Sequence, residues 1–158
     1  MTLAAPFDTN NQKLTLRQFG LVLCAVAYGA TPAVIRELKP QPAVPASLAH
    51  PAVRRVRAVV FDFQQFLTPA RKKTVRMTLF PDTALTVRWT AAEPASGVIT
   101  WTGTVVGAPH GYAVLNCTAR SVTANITRGD GLIYRIQTTD EGIVWIREID
   151  QARFLPER

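Results

Sequence analysis

The residues best suited to catalysis or metal binding are few in this chain and widely spaced. The two histidines, His50 and His110, stand in separate proline-containing loops, and neither has a nearby carboxylate to complete a zinc site. The His-Glu-x-x-His segment of zinc proteases is absent, and no serine occupies a Gly-x-Ser-x-Gly turn. We therefore expect no catalytic residue, no metal site and no cofactor, and we predict that the protein is not an enzyme.

Paired carboxylates could support sugar hydrolysis, but no spacing in this chain selects two acidic residues as partners. The glycines are scattered among turns, and they form no loop that could hold a phosphate. The acidic residues considered are Asp62, Asp82, Asp140, Glu141, Glu148 and Asp150.

The tripeptide Arg128-Gly129-Asp130 matches a sequence that many cell-adhesion receptors bind. It lies between two runs of alternating apolar residues, and Gly131 follows it directly. Glycine adopts positive φ at low cost and aspartate tolerates it, so this composition is typical of a hairpin turn. We interpret the tripeptide as a turn, with adhesion as an alternative that its exposure leaves open.

Two cysteines are too few for a disulfide framework. Cys117 lies in the segment YAVLNCTA, where strand alternation places it on the same face as Ala113, Leu115 and Ala119. We therefore expect Cys117 to be a small buried apolar residue rather than a reactive thiol.

The composition fits one folded domain. The chain has 158 residues, of which 47% are apolar and 18% charged, and its formal charge is +7. A basic protein could bind nucleic acid or anionic surfaces, but the aromatic residues do not interleave with the basic ones and no nucleic-acid-binding motif occurs. We expect no nucleic-acid partner and a solvated basic surface. Binding to anionic surfaces remains an alternative, through Arg54, Arg55, Arg57, Arg71, Lys72, Lys73 and Arg76.

Residues 1–30 have the pattern of a secretory signal peptide. Lys13 and Arg17 precede a short apolar run, and small residues offer cleavage near Ala27 or Ala30. The run is shorter than the roughly twenty residues of a membrane-spanning helix. We predict a signal-like helix, export to the periplasm or medium, and no stable membrane span after cleavage. A buried amphipathic helix is the alternative.

The rest of the chain divides into two parts. Residues 31–52 are rich in proline and alanine, which predicts a linker or loosely attached arm. Residues 53–158 consist of short alternating or continuous apolar segments separated by turn residues, which predicts an antiparallel β-sandwich or partly open barrel of about 7–9 strands. The predicted strands are the segments 56–63, 75–80, 84–89, 98–107, 112–119, 121–127, 132–138 and 143–149.

The order of these segments resembles the amino-terminal region, ahead of the catalytic domain, of secreted bacterial zinc metallopeptidases of the reprolysin-like kind. The shared elements are an LFPD-type segment, a W-x-G strand, a strand pair and a closing acidic segment, and they cover residues 56–157. The positions that carry the likeness most clearly are Phe80, Pro81, Asp82, Trp101, Gly103, Tyr134 and Asp150. In that family a catalytic domain follows, whereas this chain ends at Arg158.

The resemblance implies a non-catalytic, prodomain-like module that binds and inhibits or chaperones a separate secreted zinc metallopeptidase, or the remnant of a truncated protease gene. Strand addition at a sheet edge offers a physical route to such binding, as does docking of the proline-rich arm. The alternative function is a surface- or carbohydrate-binding module, which would need an exposed platform formed by Trp89, Trp101 or Trp145. Alternation places Trp89 and Trp101 on apolar faces and allows Trp145 to point outward.

Overall fold

The computed structural model describes residues 33–68, 72–91 and 94–154. Within these ranges, nine strands form one antiparallel sheet in the order β1-β2-β9-β8-β7-β6-β5-β4-β3. The all-β prediction is therefore confirmed. The strands are β1 (Ile35–Glu37), β2 (Val53–Phe61), β3 (Lys73–Phe80), β4 (Thr83–Ala91), β5 (Ile99–Val105), β6 (Tyr112–Cys117), β7 (Val122–Thr127), β8 (Leu132–Thr138) and β9 (Val144–Asp150).

The sheet curls into a nearly closed, barrel-like form. Its two terminal strands, β1 and β3, approach each other to Cα–Cα distances of 8 Å or less, although they do not pair with each other. Of the two architectures that the sequence left open, the structure has the barrel-like one. The predicted signal segment, residues 1–30, lies outside the described residues.

Alternation along the strands builds the core. The predicted inner residues of β4, Val87 and Trp89, are fully buried, and Leu85 packs against them half-buried. On β5, Trp101 is fully buried, while Thr102 and Thr104 on the opposite face are exposed. The same rule places Cys117 inside with no exposed surface, so its predicted burial is confirmed.

A short helix contributes a ring to the core of the barrel-like sheet. Helix α1 (Gln64–Leu67) lies between β2 and β3 and buries Phe66 completely. The Phe66 ring meets the rings of Trp89 and Trp101 edge to face, with both centroid distances at 5.8 Å. The sequence did not predict this helix, because four residues are too few to display a helical period.

The segment predicted as a linker packs on the sheet over its described part, residues 33–52, here called the arm. Residues 35–37 of the arm form β1, which pairs with the end of β2. Leu48 is 2% exposed and packs with Trp145 and Ala58. Trp145 points outward from the sheet, as alternation allowed, but the arm leaves it only 1% exposed. Apolar residues between the prolines drive this packing, because burying them removes their surface from water.

The turns follow the predicted chemistry. Residues 128–131 connect β7 to β8, and Gly129 and Gly131 both adopt positive φ, 80° and 86°. The tripeptide is thus a hairpin turn, as predicted from its glycines. None of the helices in the described ranges has the length and apolar character needed to cross a membrane.

Candidate functional site

The two strands that face each other across the opening of the sheet form the candidate site. β1 pairs with residues 59–61 of β2. The earlier part of β2 reaches β3 through its side chains, since Arg57 hydrogen-bonds the carbonyl of Thr78. We call the space between residues 56–58 of β2 and residues 76–78 of β3 the seam. Among the described residues, no backbone–backbone hydrogen bond joins the two strands across it.

On the β2 side, the side chain of Gln41 takes the place of a neighbouring strand. The amide N–H of Ala58 donates to Gln41 Oε1 at 2.9 Å, and Gln41 Nε2 donates to the carbonyl of Ala58 at 3.0 Å. Both main-chain groups of Ala58 therefore point away from β9. Because these groups alternate along a strand, those of Val56 also face the seam.

On the β3 side, one carbonyl is already used as an acceptor. Arg57 Nη2 donates to the carbonyl of Thr78 at 2.7 Å, which bridges the seam. The pairing of β3 with β4 is regular from Lys73 to Thr78. By alternation, the N–H and C=O of Arg76 also face the seam. Among the described residues, no strand pairs with β3 on this side.

The Arg57 guanidinium that spans the seam is poorly neutralised. Its Nε is buried without a hydrogen-bond partner among the described residues, and none of their carboxylates forms an ion pair with it within 4.0 Å. Its planar face lies 5.6 Å from the ring centroid of Phe80. Burial lowers the pKa of Arg57, with the more distant charge of Glu37 opposing this effect. The group is a cation that a carboxylate would stabilise.

At one end of the seam, Arg55 forms ion pairs with two acidic residues. It makes two bonds of 2.8 Å to the carboxylate of Asp82 and bonds of 2.7 and 3.1 Å to Glu148 Oε2. Bonding first to Asp82 and then to Glu148 raises the pKa of Arg55, and the same contact lowers the pKa of Asp82. The Arg55 guanidinium also lies 4.2 Å from the ring centroid of Phe80. The Glu148 side chain is 5% exposed, so Arg55 supplies the charge that makes its burial tolerable.

Tyr134 lies beside this cluster on the adjacent strand. It is opposite Glu148 in the register of β8 and β9 and is 1% exposed. Burial raises the pKa of Tyr134, while a hydrogen bond from Arg128 opposes the rise. Arg128 also pairs with Asp130 at 3.2 Å. The Tyr134 phenol is thus in contact with both the Arg128 guanidinium and the Glu148 carboxylate.

Three turns enclose a pocket at the same end of the sheet. The turns after β3, β5 and β7 line a space of about 420 Å³. Its charged or polar side chains are those of Asp82, Thr83, His110, Arg128 and Asp130. Gly129 approaches His110 closely, since a Cβ there would lie 2.9 Å from the Cβ of His110.

The positions that carry the family resemblance divide into three groups in the structure. Phe80, Asp82 and Tyr134 come together around Arg55, with the Phe80 and Tyr134 ring centroids 6.5 Å apart. Trp101 and Gly103 lie on β5, where the Trp101 side chain fills the core.

The last two positions lie at the ends of strands. Pro81 is exposed in the turn after β3, beside Asp82. Asp150 ends β9, where its side chain accepts a hydrogen bond from the N–H of Ala152 at 3.1 Å.

Sequence reasoning missed the residues that define the seam. The sequence pattern assigns Arg57 to a basic surface. The alternation that places Val59 inside also turns Arg57 inward, so strand periodicity could have identified it. Gln41 gave no signal, because its capping of Ala58 depends on how the arm folds back across seventeen positions of the chain.

No group of three or more histidine, cysteine, aspartate or glutamate side chains in the described ranges could hold a metal ion. Comparisons of the chain with protein-family models, with curated proteins and with solved structures find no match. The resemblance to metallopeptidase prodomains therefore stays a prediction.

Proposed function

We propose that this protein is a secreted, non-catalytic binding domain that accepts an extended, acidic segment of another protein at the seam. The observation that carries the proposal is the edge of β3, where main-chain donors and acceptors face a space bridged by the Arg57 side chain. Strand addition satisfies such groups with the backbone of a partner, and this mode needs little side-chain specificity.

The charge of the seam selects the kind of segment. Arg57 has a main-chain carbonyl as its hydrogen-bond acceptor, and Arg76 is exposed on β3. A carboxylate opposite Arg57 would add a charge–charge attraction that the neutral carbonyl of Thr78 does not provide. The incoming strand would then take the place of the Arg57 bond to Thr78.

The resemblance of residues 56–157 to metallopeptidase prodomains supplies the class of partner. A separate secreted zinc metallopeptidase would offer an extended segment near its cleft, and binding would inhibit the protease or assist its folding. The net charge of +7 favours association with an acidic protein.

The experiment compares two substitutions at one position. Arg76→Pro removes a main-chain N–H that faces the seam, and proline is tolerated on an edge strand whose N–H lies outside the ladder. Arg76→Ala removes the same side chain but keeps the N–H, so it is the matched control. Each variant and the wild type are added to native culture medium, and zinc-dependent proteolysis and co-purification of the protease are measured.

We expect the wild type to retain the protease and to change its activity, and Arg76→Ala to do the same with weaker binding, because it lacks one positive charge. Arg76→Pro should do neither. If none of the three proteins associates with a zinc metallopeptidase or alters its activity, the proposed function is wrong. If Arg76→Pro binds as well as Arg76→Ala, the partner binds elsewhere and the seam is not the site.

A second function, carbohydrate binding, is favoured by a different surface. All three tryptophans are at most 1% exposed, so they form no platform. However, a groove of about 440 Å³ on the outer face has Tyr112 and Phe154 at its sides, 58% and 50% exposed, with a hydrogen bond of 3.0 Å between Arg135 and Asn125 beside them. Aromatic faces and planar polar groups together suit a sugar ring.

The carbohydrate-binding function predicts retention on insoluble polysaccharides. Tyr112→Ala should abolish this retention, whereas Val106→Ala, which truncates another exposed apolar residue, should not. Absence of retention by the wild type on cellulose, chitin and peptidoglycan would contradict it.

A further inference from the structure

Two rows of side chains cross the outer face of strands β6, β7, β8 and β9 in register. The more polar row consists of Val114, Asn125, Arg135 and Arg147. The more apolar row lies two residues away on each strand and consists of Tyr112, Thr127, Ile133 and Ile149. All of these residues except Arg147 line the groove of about 440 Å³, together with Phe154. The groove therefore has an apolar side and a polar side.

The polar row ends at two arginines that have no acidic partner. Arg135 and Arg147 stand opposite each other in the register of β8 and β9, so their side chains leave the same face of the sheet. No carboxylate of the described residues forms an ion pair with either arginine within 4.0 Å. No acidic residue is among the described residues that line the groove. Like charges directly opposite in a sheet repel, and an anion bound beside them would offset this repulsion.

Both guanidinium groups have hydrogen-bond donors left for such an anion. Arg135 Nε donates to Asn125 Oδ1 at 3.0 Å, and its two Nη groups have no hydrogen-bond partner in the described part of the chain. Arg147 Nη2 donates to the side-chain carbonyl of Gln137, while its buried Nε has no partner among the described residues. Burial lowers the pKa of Arg147, and the charge of Arg135 adds to this effect. A planar guanidinium with free N–H groups fits a carboxylate, which it can bind through two parallel hydrogen bonds.

We propose that the groove binds saccharides that carry a carboxylate, such as chains of uronic acids. The carboxylate bonds to Arg135, and the sugar ring packs against the exposed rings of Tyr112 and Phe154. This inference rests on the carbohydrate-binding function proposed above for the same groove, and it names the class of sugar.

The polar side of the groove favours a sugar over a fatty acid as the occupant. An alkyl chain would cover Asn125 and Thr127 without bonding to them, and burying polar groups without partners costs free energy. A sugar ring presents C–H groups to the aromatic side chains and hydroxyl groups to the Asn125 amide and the Thr127 hydroxyl. Both kinds of lining residue are then in contact with groups that suit them.

The experiment uses a pair of saccharides that differ in charge. Galacturonate oligomers carry a carboxylate on each sugar, and their methyl esters have the same sugars without the charge. Isothermal titration calorimetry of the full chain measures the dissociation constant of each. We expect the wild type to bind the acidic oligomer at least about tenfold more tightly, because a hydrogen bond to a charged group contributes more than one to a neutral group. Retention on peptidoglycan, whose sugars carry carboxylates, should likewise exceed retention on chitin.

Two arginine variants separate this site from the general positive charge of the protein. Arg135→Gln removes the cation that the proposal places on the carboxylate. Arg88→Gln is the matched control, because Arg88 is an exposed arginine on β4, outside the groove. We expect Arg135→Gln to lose the preference for the acidic oligomer and to keep its affinity for the methyl ester, whereas Arg88→Gln should bind both as the wild type does. Circular dichroism verifies that both variants keep the sheet.

The outcomes distinguish this inference from the function on which it rests. If the wild type binds a neutral saccharide as tightly as the acidic oligomer, the inference is wrong while the carbohydrate-binding function stands. Equal losses in Arg135→Gln and Arg88→Gln, or equally tight binding of polyglutamate, would overturn the inference, because net charge alone would then explain the binding. If the wild type binds no saccharide, the carbohydrate-binding function and the inference are both wrong.

Discussion

Trp101 donates its indole N–H to the main-chain carbonyl of Phe66 at 3.0 Å, and the two rings meet nearly edge to face, at 86°. Because Phe66 belongs to α1 and Trp101 to β5, this bond fastens the helix to the wall of the barrel-like sheet. The indole N–H of Trp89, on the neighbouring strand, has no such partner among the described residues.

The pair of tryptophans allows the hydrogen bond to be measured. Trp101→Phe and Trp89→Phe remove the same atoms from the same core, but only the first leaves a buried carbonyl unpaired. We expect Trp101→Phe to lower the free energy of unfolding by about 1–3 kcal/mol more than Trp89→Phe. Urea denaturation followed by circular dichroism measures both, and equal losses would mean that the bond contributes nothing net.

Arg55 is expected to be the most important charge for stability. Arg55→Met leaves Arg54, at 3.6 Å, as the one ion-pair partner of the buried Glu148 carboxylate among the described residues, and should cost about 3–5 kcal/mol at neutral pH. Arg54→Met is the control, because this arginine is 47% exposed and should cost about 1 kcal/mol or less. Adding Glu148→Gln to Arg55→Met should restore part of the loss. Similar losses for the two arginine variants would contradict this account.

Gly103 is expected to be required for the close packing of β4 against β5. A Cβ at this position would lie 2.8 Å from both the carbonyl oxygen of Arg88 and Cγ1 of Val87. Gly103→Ala should therefore reduce the free energy of unfolding by about 1–3 kcal/mol through overpacking. Thr104→Ala, on the exposed face of the same strand, should change it by about 0.5 kcal/mol or less. Thermal unfolding of the two variants checks the difference.

Lys73 should make stability depend on alkaline pH. Burial lowers the pKa of Lys73 from 10.5 to about 8, so between these values the folded protein binds fewer protons than the unfolded chain, and stability rises with pH. The half-buried ammonium of Lys73 destabilises the folded protein fully below about pH 8, and this cost is lost as the pH rises to 10.5. Burial also raises the pKa of Cys117 from 9.0 to about 11, which reduces stability as pH rises from the lower to the higher value.

Above pH 9.0, the pKa of the Cys117 thiol in the unfolded chain, both groups change stability with pH. The interval from about pH 8 to 9.0 therefore reports mainly the titration of Lys73. Across it, the unfolding free energy of the wild type should rise relative to that of Lys73→Met. Urea titrations at the two ends of the interval measure this difference. A constant difference would show that Lys73 has the same pKa in the folded and unfolded states.

The sequence predicted what depends on local periodicity. Alternation identified the inner faces, so the burial of Trp89, Trp101 and Cys117 could be stated in advance. The glycines at 129 and 131 predicted the turn, because positive φ excludes most other residues there.

Features that depend on distant parts of the chain could not be predicted. The proline-rich composition predicts a loosely attached arm. It does not reveal that Leu48 packs beside Trp145 or that residues 35–37 pair with β2. The burial of Glu148 likewise depends on Arg55, ninety-three positions away, and no local pattern encodes such a pair. The seam could not be predicted from the sequence for the same reason, because it depends on how two distant strands, β2 and β3, are placed by the curl of the sheet.

The placement of the tryptophans gives the protein a built-in optical reporter. Trp89 and Trp101 occupy the interior, whereas Trp145 lies on the outside beneath Leu48. In a variant with Trp145 as its one tryptophan, the wavelength of fluorescence emission would report whether the arm is packed on the sheet. In a variant with Trp101 as its one tryptophan, the wavelength would report whether water has entered the core. Fluorescence could thus time the release of the arm separately from the opening of the whole domain.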